Sequence, residues 1–218
     1  MIEKIKVLQL IEETGIVAVI RGMEPAKMAK IAKALVAGGI KALEVTMNSP
    51  KPLKMIEEVK ALVADTDVVI GAGTVLDPES ARSAILAGAE FIFSPSLNPE
   101  VITMANRYGK LVMPGVMTPS EMVTAWEAGA DLVKIFPASV VGPAFLKSVQ
   151  APLPQIRMIP TGGISLANAA SYLEAGAIAL GVGGGLLAQE LIAGEDYQAL
   201  TERAQAFCRL VEKTRAVN

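Results

Sequence analysis

The sequence predicts an α/β protein, a (β/α)8 TIM barrel folded as a single domain over residues 1–218. Three observations lead there. Short apolar runs alternate with helical stretches through eight units, and no Pro/Gly/Ser-rich linker divides the chain. A helix-to-strand turn also recurs, as Ala37-Gly38-Gly39, Ala87-Gly88-Ala89, Ala128-Gly129-Ala130 and Ala175-Gly176-Ala177. In each, a glycine is expected to end a helix in the left-handed conformation before an even-numbered strand. A period of two β–α units suits a barrel whose alternate strands share interior layers. A doubly wound open sheet is the competing arrangement, but the first turn carries no G-x-G-x-x-G.

The elements follow in order. The strand at 16–20 leads to a helical stretch at 26–37, the strand at 42–46 to 53–63, and the strand at 68–72 to 79–87. The runs at 91–93 and 111–113 precede helices at 99–107 and 121–128. The sixth strand, 132–135, is followed by a shorter helical segment at 143–149. Strand 157–159 leads to 166–175, and strand 179–182 to a long closing helix at 196–214. The strands read as buried and parallel because they are continuously apolar, whereas the helical stretches are amphipathic.

Composition narrows the function. The apolar fraction of 52% is high and the aromatic fraction of 4% low, so the core is built largely from Ala, Val, Ile, Leu and Met. No apolar run approaches the roughly 18 residues that span a membrane. The opening residues Met1-Ile2-Glu3-Lys4-Ile5-Lys6 lack a signal-peptide core. The single cysteine, Cys208, excludes an internal disulfide, is expected to be a packing residue, and fits a cytoplasmic location. A net charge of −2 without a basic tract argues against nucleic acid as a partner. The chain has no histidine, which removes the commonest general base and metal ligand, and no metal is expected.

Within the apolar run Asp131-Leu132-Val133-Lys134-Ile135-Phe136-Pro137, Lys134 stands where an apolar side chain belongs. It is either a lysine whose head snorkels to water or a desolvated, deprotonated nucleophile able to form a Schiff base. Glu44 is a second charge in an apolar strand, in Ala42-Leu43-Glu44-Val45-Thr46. A barrel interior brings the two together, as a structural ion pair or as a nucleophile with its proton shuttle. Chemistry in such barrels sits at the C-terminal ends of the strands, which favours the second reading. The last two strand ends, Thr161-Gly162-Gly163-Ile164-Ser165 and Gly181-Val182-Gly183-Gly184-Gly185, are glycine-rich where phosphate loops occur. Arg21 ends the first strand, either as a bidentate ligand for a second anionic group or as a surface arginine.

Together these residues are identified with a known family. The motifs Ile16-Val17-Ala18-Val19-Ile20-Arg21, Leu43-Glu44-Val45-Thr46, Gly71-Ala72-Gly73-Thr74-Val75, Phe93-Ser94-Pro95, Met113-Pro114-Gly115-Val116-Met117-Thr118-Pro119, Lys134-Ile135-Phe136-Pro137 and Pro160-Thr161-Gly162-Gly163-Ile164 resemble the 2-keto-3-deoxy-6-phosphogluconate (KDPG) / 4-hydroxy-2-oxoglutarate (KHG) aldolases. The resemblance covers nearly the whole chain. It implies a cofactor-free class I aldolase, typically a homotrimer, that cleaves a phosphorylated 2-keto acid to pyruvate and glyceraldehyde 3-phosphate. Lys134 matches the Schiff-base lysine and Glu44 the acid/base carboxylate. Thr74 matches the residue contacting the pyruvate moiety, and Pro95 and Phe136 match its walls. Gly162, Gly163, Gly183, Gly184 and Gly185 match the phosphate loops.

The chain departs from that pattern in two places. Many members have an arginine where this chain has Asn48, and the Asn48-Ser49-Pro50 version resembles the 2-keto-3-deoxy-6-phosphogalactonate branch, in which the arginine matching Arg21 holds the carboxylate. Thr161, by contrast, resembles the gluconate branch. Many relatives also have a serine in the last glycine turn, so here backbone N–H groups must serve alone. Other readings of the sequence are a phosphosugar isomerase or synthase on the same barrel, and an aldolase-derived trimeric scaffold for a larger assembly.

Overall fold

The computed structural model describes residues 2–216 and shows an α/β fold of short parallel strands in curled sheets. The strands are β1 (Ile16–Ile20), β2 (Ala42–Thr46), β3 (Val69–Gly73), β4 (Phe91–Phe93), β5 (Leu111–Met113), β6 (Gly115–Val116), β7 (Val133–Ile135), β8 (Met158–Pro160) and β9 (Leu180–Val182). Six lie in the order β5-β4-β3-β2-β1-β9, and a second sheet runs β6-β7-β8. The eight predicted strands are all present, shifted by at most a residue at each end. The fifth is interrupted at Pro114, which has no N–H to donate, and resumes as β6.

The helices are α1 (Ile2–Thr14), α2 (Pro25–Ala37), α3 (Pro52–Leu62), α4 (Pro78–Leu86), α5 (Pro99–Arg107), α6 (Pro119–Glu127), α7 (Ala138–Gln150), α8 (Ala169–Glu174), α9 (Gln189–Ala193) and α10 (Tyr197–Arg215). Helices α2 to α6 each begin at a proline, whose missing N–H costs nothing in a first turn. Three of these are also capped by side chains: Asp77 accepts from Ser80 N–H, Asn98 from Glu100 N–H, and Thr118 forms a reciprocal capping box with Glu121.

Several expectations need correction. The segment predicted at 143–149 is a longer α7, kinked where Gly142 leaves helical geometry just before Pro143. The helix predicted at 166–175 is shorter, because Ser165 to Asn168 form turns held by the Asn168 side chain. The left-handed glycines expected after alternate helices are Gly39, Gly88, Gly129 and Gly176. Gly109 ends α5 in the same way before an odd-numbered strand, so the two-unit period is not strict. Helices α1 and α9 have no counterpart in the sequence reading; α1 is nearly as charged as it is apolar, and α9 is a single short turn.

Two hydrophobic cores divide the strand residues by parity. Leu43, Val45, Ile70, Ala72, Ile92, Val112, Val133, Ile135, Leu180 and Val182 pack outward beneath the helices. Val17, Ala42, Val69, Phe91, Phe93, Leu111, Met113, Leu132, Ile159 and Ala179 form an inner cluster enclosed by the strands. Glu44 and Lys134 share parity with Ala42 and Leu132, so strand alternation points both side chains inward. Val7 and Ile11 of α1 belong to that inner cluster. Helix α1 therefore closes its floor, held by ion pairs Lys4–Asp131 and Arg157–Glu12 and by Arg215, which donates to the carbonyls of Glu12 and Glu13. Each fully buried Ile or Leu contributes about 1.5–3 kcal/mol relative to exposure.

Ile11 is fully buried in this floor. Ile11→Ala is expected to lower the urea-unfolding free energy by about 2–5 kcal/mol. A loss below about 1 kcal/mol would show that α1 does not seal the interior.

Candidate active site

The inner-facing charges sit in a confined space. Lys134 in β7 pairs in register with Gly115 on one side and Ile159 on the other. Glu44 in β2 lies between Val19 of β1 and Gly71 of β3. Both residues are 0% exposed. Lys134 Nζ lies 5.0 Å from the ring centroids of both Phe93 and Phe136, so its surroundings are largely aromatic. The Glu44 carboxylate lies over Gly73, where a Cβ would be only 1.6 Å from Oε1. Glycine at position 73 is therefore a steric requirement of the carboxylate's placement.

Among the described residues, neither Lys134 Nζ nor either Glu44 oxygen has a hydrogen-bond partner, and the same holds for Thr74 Oγ1. Buried polar atoms are normally paired, so a cluster of orphaned ones at a strand end points to chemistry. Burial pushes the Glu44 carboxyl above its ordinary range, against the pull of the Lys134 and Arg21 charges. Burial also pushes the Lys134 amine down, opposed by Glu44 and reinforced by Arg21. Both directions favour the uncharged forms, a free amine beside a protonated acid. Thr74 has φ +56°, in the left-handed region that a β-branched residue rarely occupies, directly after Gly73.

A cavity of about 430 Å³ opens above the strand ends. Its walls include Val19, Arg21, Phe136, Thr161, Gly162, Gly163 and the Gly183, Gly184 and Gly185 turn. Phe136 joins this space to Lys134, and Val19 joins it to Glu44, its neighbour across β1 and β2. The structure thus gathers Arg21, Phe136, Thr161 and both glycine loops around one cavity, with Lys134, Glu44 and Thr74 Oγ1 buried. Pro95 and Asn48 are not on its wall; Pro95 packs against Gly115, and Asn48 is exposed.

Side chains outside the cavity brace the glycine loops. Asn168 accepts from Ser165 N–H at 2.8 Å and donates to the Gly163 carbonyl at 2.9 Å. Arg203 Nε, from α10, donates to the Gly185 carbonyl at 2.6 Å. Gly185 is pinned on its other side, since a Cβ there would be 2.0 Å from the Ile164 carbonyl oxygen. Gly162 and Gly163 have φ +94° and +77°, and the stretch after β7 is stitched to them through Ala138 N–H to the Thr161 carbonyl and Ser139 N–H to the Gly162 carbonyl. Sequence reading passed over Asn168 and Arg203. No local pattern marks Arg203, which reaches a loop 18 residues away, whereas an asparagine shortly after a glycine turn was the available signal for Asn168.

Other proteins resemble this chain in sequence and in fold. The family model described as KDPG and KHG aldolase matches residues 7–203. The chain is 36% identical over 196 residues to a protein of Rhizobium meliloti (strain 1021) named a probable 2-dehydro-3-deoxy-6-phosphogalactonate aldolase, covering 89% of this chain and 92% of that one. It is 32% identical over 208 residues to the 2-dehydro-3-deoxy-phosphogluconate aldolase of Treponema pallidum (strain Nichols), covering 95% and 98%. Among solved structures, a native KDPGal structure superimposes with a TM-score of 0.86 at 33% identity, covering 92% of this chain and 96% of that one. The KDPG aldolase of Legionella pneumophila, with pyruvate captured at low pH as a covalent carbinolamine, superimposes with a TM-score of 0.84 at 31% identity, covering 90% and 95%.

Two stability predictions follow from the buried pair. The double variant Lys134→Met/Glu44→Leu is expected to unfold in urea at least as late as the native protein, by up to about 4 kcal/mol, while losing all activity. Marked destabilisation would make the pair structural. Lys134, depressed below its ordinary 10.5, contributes stability that is complete above the unfolded-state value and is lost as pH falls through the folded value. Glu44, raised above 4.5, contributes in the opposite sense: its stability is complete below the unfolded value and lost as pH rises through the folded one. Unfolding free energy measured across alkaline pH should therefore rise toward pH 10.5 in the native protein relative to Lys134→Met. Parallel curves would place Lys134 in a solvated setting.

Proposed function

The chain belongs to the KDPG and KHG aldolase family, and from that premise we propose that it is a class I aldolase whose Schiff base forms on Lys134. It cleaves KDPG reversibly to pyruvate and glyceraldehyde 3-phosphate, and 4-hydroxy-2-oxoglutarate to pyruvate and glyoxylate. The observation that carries this reading is the buried, unpartnered Lys134 amine beside the buried, unpartnered Glu44 carboxyl. Desolvation favours the uncharged amine, the form that attacks a ketone.

In cleavage, Lys134 Nζ adds to the C2 carbonyl, and loss of water from the carbinolamine leaves a protonated imine. That cation accepts the electron pair of the C3–C4 bond as it breaks. Glu44 takes the C4 hydroxyl proton as the aldehyde departs, and a proton is then returned to C3 of the enamine. Hydrolysis of the resulting imine releases pyruvate and restores the amine. A carboxylate that both takes and returns a proton works best with a pKa near the operating pH, and the upward shift of Glu44 moves it that way. Thr74 Oγ1 hydrogen-bonds the pyruvate moiety, and Phe136 walls it. The phosphate binds backbone N–H groups of Gly162, Gly163, Gly184 and Gly185, and Arg21 takes the carboxylate by a bidentate contact.

One observation favours a second substrate, 2-keto-3-deoxy-6-phosphogalactonate. Asn48 is exposed and off the cavity wall, whereas Arg21 is on it. This is the arrangement expected if the carboxylate is held from β1. The buried Thr161 hydroxyl at the cavity supports the gluconate epimer instead.

We also read the two sheets as one closed eight-stranded barrel forming a single domain. A parallel bridge between Thr161 and Gly181 and the Ile178 N–H to Met158 carbonyl hydrogen bond support closure between β8 and β9. At the other seam β6 continues β5. A homotrimer is supported by large apolar side chains exposed on and around α4 to α6, namely Leu86, Tyr108, Val123 and Trp126.

Borohydride reduction in the presence of pyruvate should label Lys134, and Lys134→Ala should not be labelled; labelling of another lysine refutes the assignment. Glu44→Gln should keep imine trapping and lose about 10²- to 10⁴-fold in turnover. A comparison of kcat/KM for the two epimers decides the substrate. Light scattering in solution should return three times the chain mass, and a monomer would reject the trimer.

A further inference from the structure

The β1–β2 ladder ends where Ile20 lies opposite Val45. One step further in register places Arg21 beside Thr46, and the N–H that follows, on Gly22, lies beyond the sheet. It donates to a side chain, Ser49 Oγ, at 2.9 Å. Ser49 Oγ is in turn 3.0 Å from Thr46 Oγ1, and the Ser49 N–H donates to the Thr46 carbonyl at 3.0 Å. Thr46 is 0% and Ser49 7% exposed. The turn that carries Ser49 is itself tied down, because Met47 N–H donates to the Gly73 carbonyl at 2.7 Å. A chain of bonds therefore runs from the glycine under the Glu44 carboxylate, through the hydroxyl pair, to the peptide that follows Arg21.

Arg21 needs such support. It is exposed on the cavity wall, and among the described residues no carboxylate lies within ion-pair distance of it. A long cation held only by its own stem loses much rotamer freedom when it grips a ligand. The next residue, Gly22, turns the chain with φ +65°, so a shift of its peptide would swing the arginine directly. Burying two hydroxyls to hold one N–H gains no packing that apolar side chains would not give, which points to placement of the backbone as their use.

We infer that Ser49, with Thr46, is a positioning residue for Arg21: the hydroxyl pair extends the β1–β2 ladder by one side-chain bond and fixes the reach of the guanidinium onto the anionic end of the substrate. This rests on Arg21 as the anion ligand in the proposed aldolase reaction. Ser49 touches no reacting atom, and its effect falls on substrate binding, not on the imine chemistry.

Steady-state kinetics test this, with whichever phosphorylated 2-keto acid epimer the native protein cleaves. Ser49→Ala should raise KM about fivefold with kcat within about twofold of native. Ser49→Thr, which keeps the hydroxyl, should restore KM. Thr46→Val, which removes the partner of Ser49 and leaves Gly22 untouched, should shift KM in the same direction. In an Arg21→Ala background, Ser49→Ala should add nothing, because the group it positions is gone. An unchanged KM in Ser49→Ala, or an equal penalty with and without Arg21, overturns the positioning role. If Arg21→Ala itself leaves KM unchanged, Arg21 is not the anion ligand and the inference falls with it. Absence of pyruvate release from the native protein would instead overturn the aldolase reading on which both depend.

Discussion

The structure turns on keeping two ionisable groups dry. An amine and a carboxyl enclosed by strands are each costly to charge, and each is most stable there in its neutral form. That single condition needs aromatic rings around Lys134 Nζ, glycine beneath the Glu44 carboxylate, and a floor that keeps water from entering below. The floor is α1, whose Val7 and Ile11 complete the inner cluster and whose charged side chains are tied to the rim. The opposite end lies toward the cavity, whose wall includes Phe136, the ring that faces the amine. Such a site costs stability locally, which the surrounding outer core offsets.

Small residues do much of the positioning. On β3 and β9, inner-facing positions toward the C-terminal ends are glycine, namely Gly71, Gly73 and Gly181. Gly71 admits the Phe91 ring, Gly73 the Glu44 carboxylate, and Gly181 the Thr161 hydroxyl. Each of these glycines leaves room for a neighbouring side chain that any Cβ would displace. The loops above are fixed from outside, by Asn168 and Arg203 on the glycine turns and by Ser49 beside Arg21. The two glycine turns and the peptide after Arg21 are thus ordered in advance, and a ligand bound there would impose less ordering.

Much of this was legible in the chain. Continuous apolar runs gave the strands, because a parallel strand covered on both faces has no polar side to interrupt it. Lys134 and Glu44 were visible as charges that break such runs. The starts of α2 to α6 were blurred by up to two residues, since apolar periodicity locates a helix body while the proline at its first position locates its end, and those of α7 and α8 by more. Helix α1 escaped notice because its stabilising contacts are with remote strands, not with its own periodic face. The run at 111–113 did not reveal that the strand resumes after Pro114 as β6.

The sequence by itself determined the alternation of elements, the scarcity of ionisable groups within the strands, and the glycine-rich ends of the last two. Those are properties of composition and neighbour order. Only the tertiary structure decided which way Lys134 and Glu44 point, because a strand buried on both faces carries no periodicity to distinguish its inner side from its outer one. It also decided that Arg21 and both glycine loops share one cavity while Asn48 stands apart. Those placements come from register and curvature across strands far apart in the chain, which no local pattern records.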